Sequence, residues 1–277
     1  MGFSKKNGVD STLIKKYFSI PKRKVRYLKS STIKRKEVSY TSSTYNFESE
    51  TTSEGTTTQW SPTTDYNTWT NGSNAVDGTF WGLTSNKTVA GWDLGTDTTP
   101  SSQTGPNGGA TEPSGSPSTD ASSDNFLYTE ASSNQNSNCF VVRTPGFYFG
   151  DLVSYIGNNF RLEFFVHAYG TQQHDLFVYL STATTSNHTE ATLIETFTHS
   201  HSGNNNGGTS RLTKSSDSST YDFVTYSSSV WSKVQVDLNS YKDTDETYYI
   251  YFVAQNGTGF RADLAIDEIK FCEESVI

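Results

Sequence analysis

The chain has 277 residues, 14% of them aromatic and 32% hydrophobic, and a formal net charge of −8, a length that suits one large β domain or two small ones. Ser and Thr together number 78, a little over a quarter of the chain, and there is one Met; helix formers are scarce, and branched or aromatic side chains suit half-buried pleated surfaces, so an all-β fold with long polar loops follows. The charge is sharply divided: residues 1–39 carry twelve Lys or Arg against Asp10 and Glu37, netting +10, and the remaining 238 residues net −18, as expected of an arm with a partner of its own.

Two cysteines, Cys139 and Cys272, make one bridge at most and read as free thiols in a reducing compartment. No apolar run is long enough to span a bilayer, and the start has lysines without the apolar core of a secretory signal. The four N-x-[ST] sequons, at Asn71, Asn86, Asn187 and Asn256, are about as many as so much Asn, Ser and Thr produces by chance.

In chain order, residues 1–39 form a basic N-terminal arm with Lys15, Lys16, Lys22, Arg23, Lys24, Arg26, Lys34, Arg35 and Lys36 as its anchoring cations. Apolar residues are threaded among them and Pro21 interrupts any single helix, so the arm is expected to be completed by a partner. The body, 40–277, opens with aromatic residues spaced by Thr, Ser, Asn and Gly, then meets a Ser/Gly/Pro-rich insertion at 96–124 with almost nothing to bury. Strands follow in NFLYTEAS, CFVVRTP (ended by Pro145), RLEFFVHAYG, DLFVYLST, VWSKVQVDLN, TYYIYFVAQNG and DLAIDEIKF. In RLEFFVHAYG, Leu162, Phe164 and Val166 take one face and Glu163, Phe165 and His167 the other. Residues 200–220 read as a second extended loop. Eight to ten strands in this span predict a two-sheet antiparallel β-sandwich of jelly-roll type carrying the extended basic N-terminal arm.

The order of short motifs is informative. Phe47-Glu48, Trp60, Trp69, Thr104-Gly105-Pro106, LYTEAS (127–132), Arg143-Thr144-Pro145, RLEFFVHAYG (161–170), LFVYL (176–180), VWSKVQVDL (230–238), YIYFVAQNG (249–257) and DLAIDEI (263–269) follow the pattern of the MAM domain, which this chain resembles over about residues 45–272. The resemblance implies a jelly-roll adhesion module. It also implies a structural Ca²⁺ where the first strand meets the last, with Glu48 and Asp267 as ligands and Glu50 or Asp93 joining to complete the oxygen set. The departures are the family's cysteines, absent before Phe47 and before Arg161, and its Asp-His pair after Gly-Pro. A diverged copy made in a host cytoplasm, as in a bacteriophage virion, would account for them.

Other chemistry is sparse. His199 and His201 lie two apart and could grip a transition metal on a strand, but THSHSGNNNGG has the composition of a solvated loop. His167 reads as a packed sheet histidine. Nucleophile elbow, Walker A and zincin motifs are absent, and Glu48 and Glu50 lack an acid partner for glycoside hydrolysis. The expectation is therefore a non-enzymatic structural or adhesive protein of a large assembly. Its arm docks to a protein scaffold and its sandwich meets a protein or glycan surface. The alternatives are a carbohydrate-binding module stacking sugars on Trp60, Trp69, Trp81 and Tyr66, or nucleic-acid contact through the arm.

Overall fold

Period-two alternation in the longest apolar runs makes two sheets whose inner faces share one core. The computed structural model describes residues 45, 47, 69–72, 88–95, 125–129, 138–149, 160–172, 175–183, 191–204, 208–224, 231–242, 244–255 and 262–273, all within one unit spanning 38–276. The arm and the insertion at 96–124 lie outside them. The strands are β1 (Thr70–Asn71), β2 (Thr88–Ala90), β3 (Asp93–Gly95), β4 (Phe126–Tyr128), β5 (Asn138–Arg143), β6 (Phe147–Tyr148), β7 (Phe160–Tyr169), β8 (Leu176–Ser181), β9 (Thr192–Ser202), β10 (Thr209–Lys214), β11 (Thr220–Val224), β12 (Ser232–Asp237), β13 (Thr247–Gln255) and β14 (Asp263–Glu273). One sheet runs β1-β5-β13-β8-β9-β10-β11, with β2 beside β5 and β6 beside β13; the other runs β12-β7-β14-β4-β3. All pairings are antiparallel except that of β2 with β5. The all-β two-sheet sandwich read from the sequence is the observed architecture.

The core is aromatic at its centre. Phe164 of β7 meets Phe252 of β13 edge-to-face at 5.1 Å and Phe197 of β9 at 6.0 Å, all three buried. Beyond it, Phe149 packs on Phe160, Tyr248 and Phe271. Two buried threonine hydroxyls accept from the backbone. Thr144 Oγ1 accepts from Ile250 N at 3.1 Å, and Thr129 Oγ1 accepts from Leu264 N at 3.1 Å, each hydroxyl replacing a ladder partner where a strand ends.

One sequence expectation changes. Residues 200–220 are not a single extended loop: β9 runs to Ser202, and β10 and β11 form a hairpin. Thr and Ser there alternate with Phe197, Leu212 and Phe223, which are buried, so the few apolar residues sit at the positions that need them. Glu195, also buried, anchors the hairpin turn by accepting from Ser215 Oγ at 2.6 Å, Ser216 Oγ at 2.5 Å and Ser216 N at 3.2 Å. On the exposed face of the hairpin Arg211 and Asp222 form a two-pronged ion pair at 2.5 and 2.7 Å.

Strand β7 is buried on both faces. Its outer side contributes to a separate cluster of Phe126, Tyr128, Phe165, Trp231 and Ala265. Glu163 is on that side too, 2% exposed, and accepts from Arg161 Nε at 2.8 Å and Gln235 Nε2 at 2.5 Å, with Lys233 Nζ at 2.9 Å. A carboxylate withdrawn from water this far requires such partners.

Because Phe164 bridges both sheets, Phe164→Ala should destabilise the body by about 3–5 kcal/mol, read as a lower midpoint in denaturant unfolding. A loss under about 1 kcal/mol would place the centre of the core elsewhere.

Candidate recognition surface

The outer face of the nine-stranded sheet is aromatic where a solvent-facing sheet is usually polar. In β13, Ile250, Phe252 and Ala254 join the main core, which turns Tyr249, Tyr251 and Val253 outward. In β8, Leu176, Val178 and Leu180 point in and Phe177 and Tyr179 point out. The register aligns Arg143, Tyr251, Tyr179 and Leu193 across β5, β13, β8 and β9, and Val141, Val253 and Phe177 in the next row. Cys139, Val141, Tyr251 and Val253 form the buried floor of this face, with Phe177, Tyr179, Ala191 and Tyr249 half-buried around it. Leu193, at the end of the Tyr179 row, is 48% exposed.

The rings are held rigidly. Phe177 and Tyr179 lie 6.4 Å apart, centroid to centroid, tilted by 38°. Tyr251 donates its hydroxyl to Ala183 O at 2.9 Å. The Arg143 guanidinium sits 4.8 Å from the Tyr249 ring centre and donates to Thr70 Oγ1, a cation–π contact that fixes both side chains. Burial, helped by the neighbouring Cys139, pushes the Tyr179 phenol above its ordinary range, so its hydroxyl stays protonated. Partly exposed rings on neighbouring strands, with a hydroxyl at the margin, can stack on the flat C–H face of a sugar or pack against an apolar protein patch. Their place on strands rather than loops keeps the surface preorganised.

The residues nominated from sequence are distributed differently. Trp69 is 4% exposed and belongs to the main core, where it meets Tyr45 and Phe47 edge-to-face at 5.2 and 5.4 Å. It therefore cannot serve a sugar platform. Trp60, Tyr66 and Trp81 lie outside the described residues, as do Glu48, Glu50 and the arm cations. Phe177 and Tyr179 were missed although LFVYL carries the signal: once Leu176, Val178 and Leu180 are assigned inward, the residues between them are aromatic instead of polar.

His199 and His201 are on β9 rather than in a loop, facing Leu212 and Ser210 of β10. His201 Nδ1 is 3.3 Å from Ser210 Oγ, and Asp175 Oδ1 accepts from His199 N at 2.9 Å. Cys139 is buried in the floor of the outer face.

Ahead of β1, Tyr45 and Ile269 of β14 exchange backbone hydrogen bonds of 3.0 Å in both directions. This brings Tyr45 to β14. Phe47 has φ 61° and Glu268 φ 44°, uncommon values for side chains of their size. Asn125 Nδ2 donates to Phe47 O at 2.9 Å. Asp267, 1% exposed, accepts through Oδ1 from Glu268 N at 2.7 Å. Asp93 is likewise buried, on β3 in register with Tyr128. Among the described residues no three of His, Cys, Asp and Glu converge to hold a metal.

No protein-family model matches the chain, and no curated protein matches it in sequence. Solved structures with similar sandwiches include the K1 cleaved adhesin domain of Lys-gingipain from Porphyromonas gingivalis, with 13% identity, 76% of this chain and 92% of that one covered, and a TM-score of 0.38. The K2 cleaved adhesin domain of Lys-gingipain gives 15%, 82%, 96% and 0.40. A family 11 carbohydrate-binding module of a cellulosomal cellulase of Clostridium thermocellum gives 11%, 55%, 77% and 0.27. Scores this low lend the chain no function.

Proposed function

We propose that the body is a non-enzymatic, MAM-like recognition module that binds glycan through the outer face of its nine-stranded sheet. The supporting observation is the aromatic patch of Phe177, Tyr179 and Tyr249 on the solvent side of β8 and β13, bordered by exposed Leu193. Rings 6.4 Å apart suit successive sugars of an extended chain, each offering a C–H face to one ring. A shallow open surface binds weakly one site at a time, so useful affinity comes from many copies on one carrier. The basic arm, with Lys15, Lys16, Lys22, Arg23, Lys24, Arg26, Lys34, Arg35 and Lys36, supplies the charge for docking to an acidic protein scaffold; a virion is the carrier this reading favours.

Two expectations follow. Phe177→Ala with Tyr179→Ala should reduce retention on an array of plant, microbial and animal glycans about tenfold or more. The melting temperature should change little, because both rings are half-buried. Unaltered binding by a folded double variant would move recognition to another surface, and turnover of any glycan would reject the non-enzymatic reading.

The second concerns the ion. If Glu48 and Asp267 hold Ca²⁺ between first and last strands, the ion stabilises only the folded state. Chelation should then lower the melting temperature, and Asp267→Asn should abolish that response. A chelator response that persists in the variant would remove Asp267 from the site.

A further inference from the structure

Besides the core packing of Leu212 and Phe223, two described side-chain contacts tie the β10–β11 hairpin to the β7 end of the five-stranded sheet. Ser210 Oγ donates to Gly170 O at 3.0 Å in a buried bond. Phe223 of β11 packs edge-to-face on His167 of β7 at 5.3 Å. On its other side His167 meets Trp231, just ahead of β12, at 6.2 Å, and Ala265 of β14 is its cross-strand partner. The imidazole is thus enclosed by two aromatic rings and a methyl group, 2% exposed. Neither of its nitrogens has a hydrogen-bond partner among the described residues. A phenylalanine would fill such a site without leaving a polar group unsatisfied.

We propose that His167 is an acid-sensitive latch: proton uptake by its ring releases the β10–β11 hairpin from the five-stranded sheet while the rest of the sandwich stays folded. A charged imidazolium has two N–H donors and here no acceptor, and the simplest relief is to move the Phe223 lid and admit water. Other charges are placed on every neighbouring element. Asp263 and Asp267 flank Ala265 on β14, Lys233 is two residues beyond Trp231 on β12, and Tyr128 of β4 is opposite Ala265. On β7 itself Glu163 and Tyr169 lie four and two residues away, Glu163 engaged by Arg161, Gln235 and Lys233. On the hairpin, Asp222 pairs with Arg211 at the exposed face, and His201 of β9 faces Ser210. None of these hydrogen-bonds the His167 ring, and burial holds its pKa down at about 3 from the usual 6.5.

The sign follows directly. The closed hairpin keeps His167 neutral while the open one lets it titrate normally, so the latch is fully shut above about pH 6.5 and weakens as pH falls. One proton is taken up on opening, so the opening constant rises about tenfold per pH unit below about 6.

The test is hydrogen exchange of the full chain between pH 7.5 and 5, with rates corrected for intrinsic chemistry. Protection across 209–224 should fall about tenfold from pH 6 to 5, while that of 249–255 in β13 stays constant. His167→Phe should remove the pH dependence, and His167→Gln, smaller and neutral, provides a second variant should the first fail to fold. Wild-type protection that is flat with pH, a loss spread equally over both sheets, or an unchanged slope in a folded variant would each overturn the latch.

Discussion

The structure depends on β7 having no solvent side. Its inner residues fill the space between the sheets, and its outer residues are sealed beneath Phe126, Tyr128 and Trp231. Every polar group on the strand must therefore be answered inside a low-dielectric layer. Glu163 is answered by a guanidinium, an amide and an ammonium from its own and the neighbouring strand. His167 meets the same condition by staying uncharged. One face of one strand thus holds an ionised group and a neutral one under equal burial, separated by Phe165, and the difference lies in the donors beside them.

The two sheets divide the labour. The five-stranded sheet holds the buried Glu163 and His167 and is bridged to Tyr45 through Ile269. The nine-stranded sheet carries an apolar outer surface built from alternate residues of β5, β13 and β8. Both rest on the same aromatic centre, so the outer rings inherit the rigidity of Phe164, Phe197 and Phe252 behind them.

Much of this was legible in the residues. Strong alternation in RLEFFVHAYG, LFVYL, VWSKVQVDL and TYYIYFVAQ announces strands with a defined inner face, and β7, β8, β12 and β13 are found there. β9, β10 and β11 were harder because their outward residues are Ser and Thr, equally at home in turns. The aromatic face required one more step, in which the residues between the inward ones are themselves examined for polarity. That His167 is packed was legible, but its neighbours Phe223 and Trp231, 56 and 64 positions away in the chain, were not.

The ion pair of Arg211 and Asp222 has a consequence for life at high local concentration. β11 is the terminal strand of its sheet path, and a terminal strand offers backbone donors and acceptors to any other strand that approaches. Arg211 and Asp222 are nearly half exposed and stand opposite each other on the last two strands. A neighbouring copy pairing edge to edge would have to strip water from both charges without offering them better partners. Fusion of two sheets edge to edge through β11 into a continuous ribbon is thereby opposed.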